Sequence, residues 1–312
     1  MNKKLIFAVF GNPILHSKSP QIFNNVFVEE NVNAFYTRIW TDNGHDIVDT
    51  MQKLALAGAN ITSPFKESVL NCLDSVGGDA SMIGSVNTIV IQGTKAIGYN
   101  TDSYGVVRAV EEAGFTITNR KCLVLGAGGA GKAAAWGLQN AGGTVYIANR
   151  NALKAERYAS KIGCIAISLE KAEEIIDQFD LLISTILPEV NPFTFNKLPA
   201  KLTVLDANYK KSKVEELAKK SGCKIISGER WLLFQAELAY DFLLGYPPNL
   251  KLLEDGFQQR LRADKLTITT TNFTENLNIG IAKPDLIIPT GDKTDADIQQ
   301  IIHEESIKAF GS

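Results

Sequence analysis

Residues 121–131 read KCLVLGAGGAG, an apolar run that passes directly into the glycine pattern Gly-x-Gly-x-x-Gly. The run 121–125 has the composition of a buried strand, and a helix is predicted over 130–140. Glycines at a strand-to-helix turn let the backbone approach a pyrophosphate, whose charge is met by amides of the helix N-terminus. The alternative is a tight turn that binds nothing, but the flanking strand and helix favour a dinucleotide site. Its predicted members are Gly126, Gly128, Gly129, Ala130 and Gly131.

Strand-like and helix-like segments alternate on both sides of this loop, which predicts an α/β protein with mainly parallel strands. The strands predicted from Lys121 onwards cover 122–125, 144–148, 164–167, 180–185, 202–206 and 224–226. Helices between most of them give the pattern of a doubly wound Rossmann sheet. The strands predicted before Lys121 cover 5–10, 34–40, 59–62 and 86–91. The main predicted helices cover 20–29, 46–57, 64–73, 104–113, 231–244 and 252–262.

These elements predict two α/β domains followed by two further segments. Residues 1–103 are expected to form a substrate-binding and catalytic domain, and residues 104–230 a Rossmann dinucleotide-binding domain. Residues 231–262 are expected to form closing helices that pack back on the first domain. Residues 263–312 form a C-terminal extension to which no motif assigns a role. About 50 residues is marginal for a separate core, so we expect the extension to pack on the body of the protein or on a second subunit.

The composition is that of a globular protein that binds a small molecule. A formal net charge of -2 over 312 residues leaves no basic surplus, and no stripe of Lys and Arg points to nucleic acid. No apolar run reaches membrane-spanning length. Four scattered cysteines without a Cys-x-x-Cys spacing indicate reduced thiols in the cytoplasm, and three histidines offer almost no metal ligands. We expect a monomer or a homodimer with no metal.

The residues after the strand predicted at 144–148 indicate which dinucleotide binds. NAD-specific domains usually place a carboxylate there to hold the ribose 2'-hydroxyl, whereas an arginine accommodates a 2'-phosphate. Here the strand is followed by Asn149 and Arg150, with Lys154 one helical turn on. A missing carboxylate and two cations predict NADP as the cofactor. An exposed loop with ordinary solvated charges is the alternative.

Two short polar motifs contain the residues that we expect to carry the chemistry. The motif NITSPFK ends at Lys66 and the motif GYNTD ends at Asp102, each after a predicted strand and at the start of a predicted helix. A Lys and an Asp that meet in a pocket favour each other's charged forms, so the ammonium can protonate or stabilise an alkoxide while the carboxylate orients it. That chemistry suits reversible ketone reduction. A lone Lys is more commonly a solvated surface residue.

Ser17 and Ser19 allow two interpretations. Ser19 precedes Pro20 and is expected to cap the predicted helix. Two hydroxyls beside a helix N-terminus also make a natural site for a carboxylate. Spacing does not decide between the two.

Several motifs occur in a fixed order along the chain. They are FGNP at 10–13 with HSKSP at 16–20, GANITSPFK at 58–66, IGSVNT at 83–88, GYNTD at 98–102, and the glycine loop followed by Asn149-Arg150. In this order and spacing they resemble the shikimate dehydrogenase family, over about residues 5–250. The resemblance implies NADPH-dependent, reversible reduction of 3-dehydroshikimate to shikimate, a step of chorismate and aromatic amino-acid biosynthesis, with substrate held between the two domains.

The resemblance also implies a role for each matching residue. Ser17 and Ser19 would hold the substrate carboxylate, and Arg150 would face the adenosine 2'-phosphate. The ring hydroxyls would be contacted by Thr62, Lys66, Asn87 and Asp102, of which Lys66 and Asp102 would form the catalytic pair. Tyr209 and Gln235 match the tyrosine and glutamine that close the substrate pocket.

The chain departs from the family pattern after the strand predicted at 180–185. Residues 184–187 read STIL where the family usually has NATS, so contacts near the nicotinamide are expected to differ. Lys211 stands where the family usually has a proline. Two other functions stay open: a quinate/shikimate dehydrogenase of broader specificity, and a dinucleotide-binding sensor without catalysis. Intact Lys66 and Asp102 argue against the sensor.

Overall fold

The computed structural model describes residues 4–208, 211–258, 266–269 and 286–289, which divide into two compact units. Unit 1 comprises the described residues of Met1–Ala80, Val86–Tyr99 and Ala236–Ser312. Unit 2 comprises those of Ser81–Ser85 and Asn100–Gln235.

The helices and strands are numbered along the chain. Up to residue 99 they are β1 Leu5–Gly11, α1 Ser19–Glu29, β2 Ala34–Trp40, α2 Ile47–Lys53, β3 Gly58–Ile61, β4 Ser75–Val76, α3 Ala80–Ile83, β5 Thr88–Gln92 and β6 Lys95–Tyr99. Then follow α4 Asp102–Glu112, β7 Lys121–Leu125, α5 Gly129–Asn140, β8 Thr144–Ala148, α6 Ala152–Ile162, β9 Ile165–Ile167, α7 Leu169–Glu174, β10 Leu181–Ser184, β11 Thr203–Asp206, α8 Lys213–Ser221 and β12 Lys224–Ile226. The last elements are α9 Gly228–Leu244, α10 Leu250–Gln258, β13 Leu266–Thr269 and β14 Leu286–Pro289.

Short 3-10 helices add single turns at Gly44–Asp46, Ser68–Cys72 and Ile176–Gln178. Within the described parts of the chain, no helix has both the length and the apolar composition that crossing a membrane requires.

The described strands of unit 1 form one mixed sheet in the order β14-β13-β2-β1-β3-β5-β6-β4. Strands β2, β1 and β3 run parallel, whereas β5 is antiparallel to both of its neighbours. The β5–β6 hairpin, whose second strand the sequence analysis did not predict, turns at Gly93 with φ of +63°. This positive φ favours glycine and explains how the chain reverses there.

The two faces of the unit 1 sheet differ in character because side chains alternate along each strand. One face is mainly apolar: Ala8, Phe10, Phe35, Ile39, Ala59 and Ile61 pack beneath α2 and the 3-10 helix at Ser68–Cys72. On the opposite face, the rings of Phe23 and Phe27 from α1 pack against Phe7, Tyr36 and Tyr240. Their ring centroids are 4.6–6.0 Å apart. Burial of such rings is a main source of stability.

The face that α1 covers changes from apolar to polar within two residues along the strands. The row across the sheet that contains Phe7 pairs it with Tyr36 and Gly58. The next row on the same face contains Arg38, Val9, Asn60 and Thr88 in register. Because β1, β2 and β3 are parallel, this polar row lies towards the carboxyl ends of all three strands, where α/β proteins usually bind ligands.

Unit 2 has the strand order predicted for a Rossmann domain. Its described strands are all parallel in the order β12-β11-β10-β7-β8-β9. The order therefore reverses between β7 and β10, which creates a crevice beyond their carboxyl ends. Leu123, Leu125, Leu182 and Val204 form the centre of its core with Phe179. The predicted α/β class with a doubly wound dinucleotide-binding domain is confirmed.

The helix predicted over 64–73 is wrong. The segment 63–67 is a turn that begins at the cis peptide bond Ser63–Pro64, and Ser68–Cys72 is a 3-10 helix. The carbonyl of Lys66 accepts the amide of Val86, at 2.8 Å, and the amide of Leu70 bonds the carbonyl of Glu67. Because Lys66 gives its carbonyl to another segment, the i to i+4 pattern of an α-helix is not formed.

The C-terminal part of the chain supplies helices and strands to unit 1. Helix α10 lies against α1, where the carbonyl of Leu252 accepts a 2.7 Å hydrogen bond from the side-chain amide of Asn25. Strand β13 pairs in parallel with β2, placing Thr267 opposite Arg38, and β14 pairs with β13. The β-branched run at 267–271 is typical of a strand, and Leu266–Thr269 forms one. The apolar period of residues 295–310 predicts a helix, but this segment lies outside the described residues.

The side chain of Asn24 provides a test of how α1 and β2 are joined. Its amide donates to the carbonyl of Tyr36 and accepts from the Tyr36 amide, both at 2.8 Å, and the residue is buried. Asn24→Ala leaves two buried backbone groups unpaired, so the free energy of unfolding should fall by roughly 2–5 kcal/mol. Urea denaturation measures the change. Asn140→Ala, on the exposed end of α5, is the control and should change stability little; equal effects would contradict this account.

Candidate active site

The glycine loop of unit 2 has a distinct requirement at each of its three pattern glycines. Gly126 has φ of +104°, and a Cβ there would lie 2.5 Å from Oγ1 of Thr185. A Cβ on Gly131 would lie 2.0 Å from the carbonyl oxygen of Gly126, so glycine allows α5 to approach the loop closely. At Gly128, by contrast, no described atom lies within 4 Å of the Cβ position. The space above Gly128 is open, as a pyrophosphate on the backbone requires.

The strand neighbouring this loop, β10, ends in residues that depart from the family pattern. The backbone amide and the hydroxyl of Thr185 both bond the carbonyl of Leu125, at 2.9 and 2.8 Å. The Ser184 hydroxyl is fully buried and has no hydrogen-bond partner among the described residues. The Leu187 side chain is 65% exposed. The crevice at this strand end is therefore bordered by apolar Ile186 and Leu187 instead of hydroxyls.

The residues predicted to determine selectivity between NADP and NAD lie at the end of β8. Asn149 accepts the amide of Ala127 with its side-chain oxygen, at 3.2 Å, which ties the end of β8 to the glycine loop. The side chain of Asn151 caps α6 by accepting the amide of Lys154. Arg150 lies between them and is exposed. Its guanidinium is thus held on a fixed backbone beside the loop and is accessible to an anion.

Asp102 is a buried acid in the first turn of α4, where the helix dipole favours a carboxylate. Its amide donates to the side chain of Asn100, at 3.0 Å, and its carbonyl accepts the indole N–H of Trp231, at 2.9 Å. The Thr101 hydroxyl donates to the side-chain oxygen of Gln235, at 3.4 Å. Unit 2 therefore brings the predicted Asp102 and Gln235 into one neighbourhood.

Unit 1 holds Ser17 and Ser19 beside the polar row of its sheet. Both serines are buried, and their hydroxyls lie 3.3 Å apart. The Ser19 hydroxyl also bonds Tyr36, whose own hydroxyl donates to the Asn60 side chain at 2.6 Å. Burial raises the pKa of Tyr36 well above its usual value, although Asn60, Ser19 and Arg38 partly oppose the shift, so this hydroxyl stays protonated.

The expected capping role of Ser19 is wrong. Helix α1 begins at Ser19 itself, Lys18 takes the cap position, and no side-chain cap bond forms in this described segment. The Ser19 hydroxyl is directed to Ser17 and Tyr36 instead of to a helix amide. The other interpretation, that the two hydroxyls bind a carboxylate, stays a prediction.

Thr62, Lys66 and Asn87 lie on two segments that backbone hydrogen bonds join. The amide of Ile61 donates to the carbonyl of Asn87, and the amide of Val86 to the carbonyl of Lys66, both at 2.8 Å. Lys66 and Thr62 are partly exposed, whereas Asn87 is buried with its side-chain oxygen accepting from Thr88 at 3.0 Å. Unit 1 thus brings Lys66 and Asn87 onto adjacent segments.

Tyr209 lies outside the described residues. The segment that leads to it is held by Asp206, whose carboxylate accepts from the Asn208 amide and from the Ser212 hydroxyl, at 2.8 and 2.5 Å.

Tyr36 and Arg38 were missed by the sequence analysis, although both belong to the polar side of this unit. The signal was present: within the strand 34–40 these two residues stand two positions apart, which places them on one face, opposite to that of Phe35 and Ile39. Only the fold shows that this face is buried beside the serines.

Comparisons with known proteins show which family this chain belongs to. The model described as "Shikimate dehydrogenase substrate binding domain" matches residues 9–89, and the model "Shikimate / quinate 5-dehydrogenase" matches residues 108–194. A relative from Oceanobacillus iheyensis, named shikimate dehydrogenase (NADP(+)), is 34% identical over 83% of this chain and 99% of its own length. The chain belongs to the shikimate dehydrogenase family.

Solved structures of shikimate dehydrogenases are similar throughout most of the chain. The enzyme from Aquifex aeolicus aligns with a TM-score of 0.78 and 28% identity, over 83% of this chain and 99% of that one. The enzyme from Thermus thermophilus, solved in complex with NADP(H) and shikimate, aligns with a TM-score of 0.74 and 30% identity over the same shares.

The three glycines supply a matched pair of variants within this family's cofactor loop. Gly128→Ala adds a methyl group to open space, so it should leave thermal stability nearly unchanged but weaken NADPH binding by at least tenfold. Gly131→Ala forces backbone atoms apart and should lower the free energy of unfolding by ~1–3 kcal/mol. Thermal melting and NADPH fluorescence titration separate the two effects. Normal NADPH affinity in a folded Gly128→Ala variant would place the cofactor elsewhere.

Proposed function

We propose that this protein is an NADP-dependent shikimate dehydrogenase that reversibly reduces 3-dehydroshikimate to shikimate. One observation supports this function above others: unit 1 holds the Ser17 and Ser19 hydroxyls beside the polar row of its sheet and brings Lys66 and Asn87 onto adjacent segments, while unit 2 carries an open glycine loop. Hydroxyls, an amide and an ammonium suit a polyhydroxylated carboxylic acid. An oxidoreductase of chorismate biosynthesis follows from the family.

Substrate binding is proposed to divide between hydroxyl and charged groups. The Ser17 and Ser19 hydroxyls donate to the substrate carboxylate. The ring hydroxyls bond Thr62, Lys66, Asn87 and Asp102, and Gln235 and Tyr209 complete the pocket. Such a site rejects ligands that lack these hydroxyls, because its own buried polar groups would then be unpaired.

Lys66 and Asp102 are proposed to be the catalytic pair. The Lys66 ammonium donates a proton to the keto oxygen, or stabilises the alkoxide as it forms, and takes the proton back in the reverse direction. The Asp102 carboxylate, at the start of α4, orients this ammonium. When bound, NADPH supplies the hydride that reduces the keto carbon.

The cofactor is proposed to bind along the glycine loop. The members of this site are Gly126, Gly128, Gly129, Ala130, Gly131, Asn149, Arg150 and Lys154. Amides at the start of α5 meet the pyrophosphate, and Arg150 with Lys154 meets the 2'-phosphate. Ile186 and Leu187 offer an apolar surface near the nicotinamide in place of hydroxyls.

The cytoplasm is the proposed location, because the chain's four cysteines are free thiols. Burial raises the pKa of Cys122 to about 12 and of Cys164 to about 11, so these thiols stay protonated and unreactive. A monomer or a homodimer is the proposed state in solution.

Lys66→Ala tests the reaction directly. Removal of a positioned acid or base should lower kcat for shikimate oxidation by roughly 10²-fold or more, with NADP affinity unchanged. Asp102→Asn should also lower kcat, since the amide lacks the charge that holds the ammonium. Initial rates and direct binding measure turnover and affinity separately, and Lys95→Ala, on the exposed start of β6, is the control. Near-normal turnover in Lys66→Ala would make Lys66 a surface residue.

Assays of the wild-type enzyme with shikimate and with quinate decide the specificity. We expect shikimate with NADP to give the highest kcat/KM. A comparable kcat/KM for quinate would assign the chain to the broader-specificity branch, and no turnover of either substrate would favour a sensor.

Arg150→Ser tests the cofactor assignment. A charge-assisted contact contributes about 1.5–3 kcal/mol, so the KM for NADPH should rise tenfold or more while that for NADH changes little. Arg157→Ser, also exposed but further along α6, is the matched control and should leave both unchanged. An equal loss for both cofactors would show that Arg150 does not contact the 2'-phosphate.

A further inference from the structure

Arg38 is a buried positive charge inside unit 1. Its side chain is 1% exposed and lies in the polar row with Asn60 and Thr88. Arginine does not lose its proton at accessible pH, so the charge persists in this low-dielectric setting.

The guanidinium of Arg38 reaches the serine pair. Its Nη2 donates to the carbonyl of Ser17, at 2.5 Å. The Ser17 hydroxyl in turn lies 3.3 Å from that of Ser19, which bonds the Tyr36 hydroxyl. The guanidinium therefore contacts the residue that carries one of the two hydroxyls proposed to bind the substrate carboxylate, and that residue contacts the other.

Hydroxyl groups alone bind a carboxylate weakly, because the carboxylate loses its hydration when it leaves water. They offer hydrogen bonds but no net charge, whereas a nearby cation in a low-dielectric interior attracts the anion directly. A fixed guanidinium can do this without contacting the ligand, and it also holds the loop that carries Ser17. Tyr36, kept neutral by burial, adds no competing negative charge.

We propose that Arg38 is a specificity-determining residue that supplies the positive charge for the substrate carboxylate and positions Ser17 to bind it. This inference rests on the proposed function, because it takes the serine pair as the carboxylate site. It predicts that the enzyme prefers the substrate with a charged carboxylate over the neutral ester of the same ring. This preference is predicted to depend on the charge at position 38.

The experiment compares shikimate with its methyl ester in the wild-type enzyme and in two variants. Arg38→Gln can still donate to the Ser17 carbonyl but has no charge. Arg38→Lys keeps the charge. We expect Arg38→Gln to raise the KM for shikimate by tenfold or more, with kcat within about threefold and the KM for the ester nearly unchanged. Arg38→Lys should keep most of the acid-over-ester preference.

Two results would overturn the proposal. One is a parallel loss for acid and ester in a folded Arg38→Gln variant, which would show a purely structural role. The other is an unchanged preference in that variant. If Arg38→Gln does not fold, the Lys variant decides, and loss of the acid preference in folded Arg38→Lys counts against Arg38. Arg120→Gln, on an exposed arginine of unit 2, is the control. A wild-type enzyme that does not oxidise shikimate contradicts the proposed function instead.

Discussion

The side-chain amide of Asn60 joins three strands of unit 1 at one point. Its oxygen accepts from the Tyr36 hydroxyl on β2, and its nitrogen donates to the Thr88 hydroxyl and the Asn87 carbonyl. A buried amide is tolerated only when these bonds are made, so Asn60 joins the middle of β2 to the end of β3 and the start of β5. Thr62 follows β3, Asn87 precedes β5, and the Ser19 hydroxyl bonds the same Tyr36. One satisfied polar group thus connects the segments that carry three of the candidate substrate-binding residues.

In unit 2, the glycine loop allows the backbone to come close to an anion. Gly126 and Gly131 are needed for the turn and for the approach of α5, whereas Gly128 leaves its surface uncovered. Asn149 then fixes the end of β8 to the same loop. Backbone and side-chain groups are arranged before any ligand arrives, which lowers the entropy that binding must overcome. In the proposed function, this loop geometry provides the affinity for the dinucleotide and Arg150 provides the selectivity for NADP.

Local pattern predicted much of the fold. The period of apolar residues located the strands Ala34–Trp40 and Thr144–Ala148 at their observed bounds, and the glycine loop in its strand-to-helix context predicted the Rossmann order. Errors arose where a distant segment competes for backbone groups. Val86 takes the carbonyl of Lys66, so no α-helix follows Pro64, and Tyr36 draws the Ser19 hydroxyl away from a capping role. Burial of Arg38 was likewise not predictable, because an arginine in a strand reads as solvated until its neighbours are known.

Strand β13 occupies part of what would otherwise be the free edge of β2. An open edge presents unpaired backbone groups to any other chain, and this is a common route to aggregation. The chain's own C-terminal segment satisfies the positions opposite Arg38 and Trp40. Another chain cannot form a sheet with this stretch of β2 while β13 is paired to it. Strand β13 therefore protects the strand that carries Arg38 from intermolecular pairing.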